Sequence, residues 1–183
     1  MTTAGWFDGG VYFLRHGESV SNRLDLVNGW ADSPLTDMGV DQAYRATSIL
    51  VHHPINRIVS SDLQRAQRTA EIVAESIGTI QVEVFSGLRE RNWGLYEGLP
   101  RRQRPGLDQT PEGGEGPSEY YYRVCETLEV IKPTRNTLIV AHAGTARVLD
   151  TALNLMNPHH RIANSTPIQY LIVGSQVKHR VAQ

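Results

Sequence analysis

At 183 residues, with 40% hydrophobic and 20% charged residues, the chain is sized for one folded domain with an ordinary core, which excludes a disordered or fibrous protein. A net charge of -1 leaves no basic footprint, so nucleic acid is not an expected partner. One cysteine, Cys125, cannot close an intrachain disulfide, and no apolar run is long enough to span a bilayer. The start also lacks the basic and apolar segments of a signal peptide, so a cytoplasmic protein without membrane contact is expected.

Residues 1–10 read as a loose leader. Residues 11–14 form an apolar strand that stops abruptly in Arg15-His16-Gly17, and a helix is predicted within 18–26. Residues 27–35 carry turn chemistry, with Asn28-Gly29 and Ser33-Pro34. Thr36 caps a helix over 37–50, closed before His53-Pro54. A short strand over 56–59 runs into Ser60-Ser61-Asp62, which opens the next helix. That helix has apolar positions at Leu63, Ala66, Ala70, Val73 and Ile77, and Gly78 ends it.

Residues 80–85 alternate as a strand should. Residues 87–117 are rich in Gly, Pro and Arg and long for a connection, the mark of a functional or mobile insert. Ser118 caps a helix to 131, closed by Lys132-Pro133. A strand over 137–141 leads into His142-Ala143-Gly144 and a helix to about 155. Residues 158–167 are loop, and 168–173 with 176–181 are closing strands. Strands alternating with helices predict an α/β fold: a single-domain, three-layer α/β/α sandwich over 1–183, with a mostly parallel central sheet and a short irregular lid.

In a parallel sheet the ends of 11–14, 56–59 and 137–141 share one edge, where open α/β folds bind ligands. That edge gathers Arg15, His16, Arg65 and His142, a pocket suited to phosphate. Ser19 and Asn22 follow at a helix start, a natural anion site, and are candidates for substrate binding. Arg65, in the first turn of its helix, opposes the macrodipole unless an anion lies between it and the helix start. Arg68 reads as a solvated residue on the polar face. The remaining histidines, His52, His53, His159, His160 and His179, read as surface residues. No metal site is expected, because the arginines beside His16 and His142 repel a cation and no helical His-Glu-x-x-His pattern is present.

These motifs resemble the histidine phosphatase superfamily, also called the phosphoglycerate-mutase-like family. The resemblance rests on Arg15-His16-Gly17-Glu18-Ser19 with Asn22, and on Gly29-Trp30 through Pro34-Leu35-Thr36 with Gly39 and Gln42-Ala43. It continues through Ser61-Asp62-Leu63-Gln64-Arg65-Ala66-Gln67-Arg68-Thr69-Ala70, Leu88-Arg89-Glu90 with Trp93-Gly94 and Glu97-Gly98, and Gly113-Gly114-Glu115. It spans roughly residues 11–173. The resemblance implies that His16 is the nucleophile, that Arg15, Arg65 and His142 bind the phosphoryl oxygens with help from Asn22, and that Glu90 is proton donor and then base. One departure is Ala143, where the family usually has glycine after its second histidine.

The implied activity is metal-independent phosphomonoester hydrolysis of a small phosphorylated metabolite through phosphohistidine, without a cofactor. Glu90 beside a phosphate dianion is expected to have a raised pKa. The alternatives are phosphoglycerate-mutase-type transfer and a non-catalytic phospho-ligand or phosphoprotein binding module. The short interval from Glu90 to His142 leaves little covering structure, which favours hydrolysis. Arg101, Arg102 and Arg104 in the insert are candidates for a second acidic group of the substrate, and Trp30, Trp93 and Tyr96 for the pocket wall. A monomer or homodimer is expected.

Overall fold

The structure, a computed structural model, describes residues 10–78, 81–155, 162–173 and 176–182. Of the leader expected over 1–10, residues 1–9 lie outside the described residues, as do His159, His160 and the start of the strand expected at 80. Among the described residues, six strands form one sheet: β1 (Val11–Arg15), β2 (Arg57–Ser61), β3 (Val82–Phe85), β4 (Thr137–Ala141), β5 (Pro167–Val173) and β6 (Gln176–Val181). Their order is β3-β2-β4-β1-β5-β6. The first four in that order run parallel, and β5 and β6 close the sheet as an antiparallel pair.

Alternation along the strands divides the core in two. Val11 and Phe13 face one side, with Val59, Ile139 and Ala141, beneath the helices α4 (Pro117–Ile131) and α5 (Ala143–Ala152). Tyr12 and Leu14 face the other, with Ile58, Leu138 and Val140, beneath α2 (Asp37–Leu50) and α3 (Gln64–Ile77). The result is the expected α/β sandwich with helices on both faces of a mostly parallel sheet.

Several boundaries differ from expectation. The helix anticipated within 18–26 is a single turn, α1 (Val20–Arg23). Ser60 and Ser61 belong to β2 rather than to a helix start, because Val59 and Ser60 remain paired with β4. Ser118 does not cap α4: Gly116 does, with Pro117 in the first turn and the Glu119 carboxylate accepting Gly116 N–H at 2.7 Å. His53 is half-buried against Tyr12 rather than on the surface, its Nδ1 lying 3.3 Å from the Tyr12 hydroxyl.

The insert over 87–117 is irregular but tied down. It contains single 3-10 turns at Gly94–Tyr96 and Arg101–Gln103. The Glu97 carboxylate accepts the backbone N–H groups of Gly29, Trp30, Ala31 and Trp93 at 2.8–3.2 Å. Arg91 spends its guanidinium on the carbonyls of Leu107, Gln109 and Glu115. Charge-assisted bonds of this kind give an irregular segment a defined shape without a sheet or helix.

Candidate active site

β1 and β4 end side by side, and His16 N–H extends their ladder to the Ala141 carbonyl at 3.0 Å. This places the imidazoles of His16 and His142 with ring centroids 5.2 Å apart. The chain can turn there because Gly17 packs against the start of α2, where a Cβ would stand 2.3 Å from the Gly39 carbonyl oxygen. Thr69 of α3 accepts the Gly17 N–H at 3.1 Å, so both helices on that face hold the turn.

His16 Nδ1 lies 2.7 Å from the Gly17 carbonyl oxygen. A carbonyl only accepts, so Nδ1 carries the proton and Nε2 keeps its lone pair. Burial, then the charges of Arg65 and Arg15, hold the His16 pKa well below the ordinary 6.5 despite the opposing Gly17 bond. The neutral, nucleophilic form is therefore the resting form. His142 behaves alike, lowered first by burial and then by Arg65. Its Nε2 meets Ser61 Oγ at 2.9 Å, while Nδ1 is buried without a hydrogen-bond partner.

Arg65 is fully buried, and its guanidinium donates to the carbonyls of Asn28, Gly29 and Ala31. The anion anticipated at its helix start is supplied by the protein itself. Asp32 accepts the Gln64 N–H at 2.8 Å and lies 3.6 Å from Arg65 Nη1. Arg65 Nε remains buried without a partner. An oxyanion arriving beside the imidazoles would relieve such orphaned donors. Arg68, as expected, lies on the polar face and pairs with Glu71 and Glu75.

Glu90 reaches the site from the insert. Its carboxylate accepts N–H groups from Arg91 and Gly144, each at 2.9 Å, and the Tyr120 hydroxyl at 3.1 Å. Burial raises its pKa, but Arg147 and these three hydrogen bonds outweigh burial, and the net pKa lies below the usual carboxylate value. The raised pKa expected beside a phosphate dianion concerns the occupied site, and this direction is that of the protein alone. Trp30 braces the same residue from behind, its indole N–H donating to the Glu90 carbonyl at 3.0 Å.

These groups surround a cavity of about 160 Å³ lined by Arg15, His16, Asn22, Glu90, Arg104 and Arg147 among others. The arrangement offers a nucleophilic nitrogen, a carboxyl group and several cations around one small space. A family model described as "Histidine phosphatase superfamily (branch 1)" matches residues 11–166. The chain belongs to the histidine phosphatase superfamily.

Within that superfamily, the chain is 31% identical over 186 residues to a 2,3-bisphosphoglycerate-dependent phosphoglycerate mutase of Azorhizobium caulinodans, covering 87% of this chain and 90% of the relative. It is 41% identical over 90 residues to a probable phosphoglycerate mutase of Yersinia pestis, covering 49% of this chain and 41% of that protein. The structure also resembles that of a mycobacterial glucosyl-3-phosphoglycerate phosphatase, with a TM-score of 0.78 and 27% identity, over 94% of this chain and 97% of the other. The superfamily thus includes both transfer and hydrolysis among these relatives.

The superfamily motifs converge only in part. Arg15, His16, Asn22, Glu90, Arg101 and Ala143 line the cavity, Arg65 stands close enough to His16 to depress its protonation, and His142 packs edge-on against the His16 ring. Ala143 opens α5 without positive φ, so its methyl group causes no backbone strain. Ser19 does not line the cavity: its hydroxyl caps α1 and accepts from Asn28. Trp30 and Arg102 also lie outside the lining, Trp30 under the Arg89 guanidinium and Arg102 exposed. Arg101 is tied to Asp25 at 2.9 Å, whereas Arg104 stacks on Trp93 at 4.3 Å.

Arg147 was not anticipated. The signal for it was its spacing: four residues beyond Ala143 on one helix, it shares the face that meets the site. Tyr120 and Asn28 carried no comparable signal, because their positions depend on packing between distant segments.

Proposed function

We propose that this chain is a metal-independent phosphomonoester hydrolase that passes a phosphoryl group through His16. The observation that carries this reading is the His16 tautomer: Nδ1 is committed to the Gly17 carbonyl, and the ring lines a cavity shared with Glu90 and arginines. In the first step Nε2 forms a bond to phosphorus, the bridging P–O bond breaks, and the proton of Glu90 passes to the departing alkoxide. In the second, Glu90 takes a proton from water as the water oxygen displaces Nε2. Arg15, Arg65 and His142 spread the charge of the transferring group, and an acid of this type contributes about 10²–10⁴ in rate.

Glu90 must be protonated at the first step although its free carboxylate is held ionised. A phosphate dianion arriving beside it supplies the missing push, since two adjacent negative groups cannot both remain charged at little cost. Hydrolysis is favoured over transfer by the short stretch between Glu90 and His142, filled by the insert, α4 and β4, which leaves little structure to exclude water. The test is incubation with a radiolabelled phosphate monoester. Wild type should trap label on histidine and release phosphate, while His16→Ala should do neither. Label remaining at full level in that variant would overturn the assignment, and net transfer between phosphoglycerates without phosphate release would favour the mutase reading.

A further inference from the structure

A second cavity of about 210 Å³ adjoins the first, and the two have Glu90, Trp93, Leu107 and Arg147 in common in their linings. Its construction is regular. Gly144, Arg147, Val148 and Thr151 of α5 contribute at helical spacing, and Pro117, Tyr120 and Tyr121 of α4 face them. The surfaces presented by Trp93, Leu107, Pro117, Tyr121 and Val148 are apolar. Arg91, also in the lining, is committed to three backbone carbonyls.

We propose that this cavity is the leaving-group subsite, taking the hydrocarbon or aromatic body of an alcohol whose phosphate sits against His16. The inference rests on the hydrolase reading and extends it to a substrate class. A proton donor must touch the bridging oxygen, so whatever that oxygen carries extends past Glu90, the residue at which the two cavities meet. There the protein offers an apolar recess, and water held in it is displaced favourably by hydrocarbon. The cationic cavity binds the phosphate, and the recess selects what the phosphate is attached to.

The experiment uses straight-chain alkyl phosphates from methyl to hexyl, whose leaving groups differ little in basicity. In wild type, kcat/KM should rise about fourfold for each methylene that enters the recess. Val148→Trp, which fills it, should flatten the series, with kcat/KM for each chain length taken relative to that variant's own methyl phosphate. Thr151→Trp, at the exposed rim, should do the same should the buried replacement fail to fold. A flat series in wild type, or an unflattened series in both folded variants, overturns the proposal. Titration with hexanol provides a readout independent of turnover. Saturable binding that is lost in the Trp variants supports the recess even if no alkyl phosphate is hydrolysed, and labelling of His16 then decides the hydrolase reading separately. Absence of binding overturns the recess.

Discussion

Gly144 and Glu90 are fitted to each other: the glycine N–H donates to Glu90 Oε2 at 2.9 Å, and a Cβ on Gly144 would stand 2.0 Å from Glu90 Oε1. Hydrogen bond and close approach are inseparable, because the N–H reaches the carboxylate only if nothing projects from the α-carbon. Gly144→Ala should therefore displace Glu90 while the alanine suits a helix interior. The expected result is a loss of about 10²-fold or more in kcat at unchanged helical content, measured by steady-state kinetics and circular dichroism. Retention of wild-type kcat would show that Glu90 does not act from this position.

Proton uptake offers a second test. Glu90 is held ionised in the free protein by Arg147 and three hydrogen bonds, against the upward push of burial. A phosphate dianion entering beside it should raise that pKa, so binding at neutral pH should draw protons from solution. Calorimetric titration with inorganic phosphate in buffers of different ionisation enthalpy would measure the uptake. Glu90→Gln should remove most of it, and a wild type showing no uptake would mean that another group supplies the proton.

Stability should fall on mild acidification. His16 and His142 are held well below 6.5 in the fold, chiefly by burial and then by Arg65, but regain that ordinary value when unfolded. Below about pH 6.5 the unfolded chain binds protons that the native state refuses, so the stability present above that pH is lost as pH falls toward the folded values. Thermal melts between pH 8 and pH 5 should show Tm declining, with a smaller decline in His16→Asn/His142→Asn. Equal declines in the two proteins would place the sensitivity elsewhere.

How far the fold could be read in advance depended on whether the signal was local. Thr36 and the apolar spacing after it define α2 without outside help, and β4 with its following histidine is equally self-contained. The two histidines were legible because strand ends of a parallel sheet must share an edge. Arg65 was legible as a residue of the strand-end edge but not in its partners: nothing near it in sequence indicates that Asn28, Gly29 and Ala31 would turn their carbonyls to it. Ser19 was misread for the opposite reason, since a serine at a helix start serves capping as well as it serves a ligand.

Glu97 allows a test of the insert. Its carboxylate serves four backbone donors from two segments, 29–31 and 93. Glu97→Ala should cost about 2–4 kcal/mol by urea unfolding, because donors turned inward lose a charged acceptor. Glu97→Gln should cost less, since one oxygen of the four-bond arrangement survives. Neither variant losing stability would mean that the insert is held by its arginines alone.

Chelation should leave turnover intact. Arg15, Arg101, Arg104 and Arg147 line the cavity with Glu90, and this balance of charge repels a divalent cation. Activity lost in EDTA and restored by a metal would contradict that expectation.

Arg65, buried beside two imidazoles held neutral, gives the proposed site a charge arrangement that an anion would balance. A bound phosphate completes it, so occupancy and folding become linked. At a hundred times its dissociation constant, any such anion would add about 2.7 kcal/mol to the unfolding free energy. The same charges that draw a substrate in would then set a tolerance to heat that rises and falls with the supply of phosphorylated metabolite.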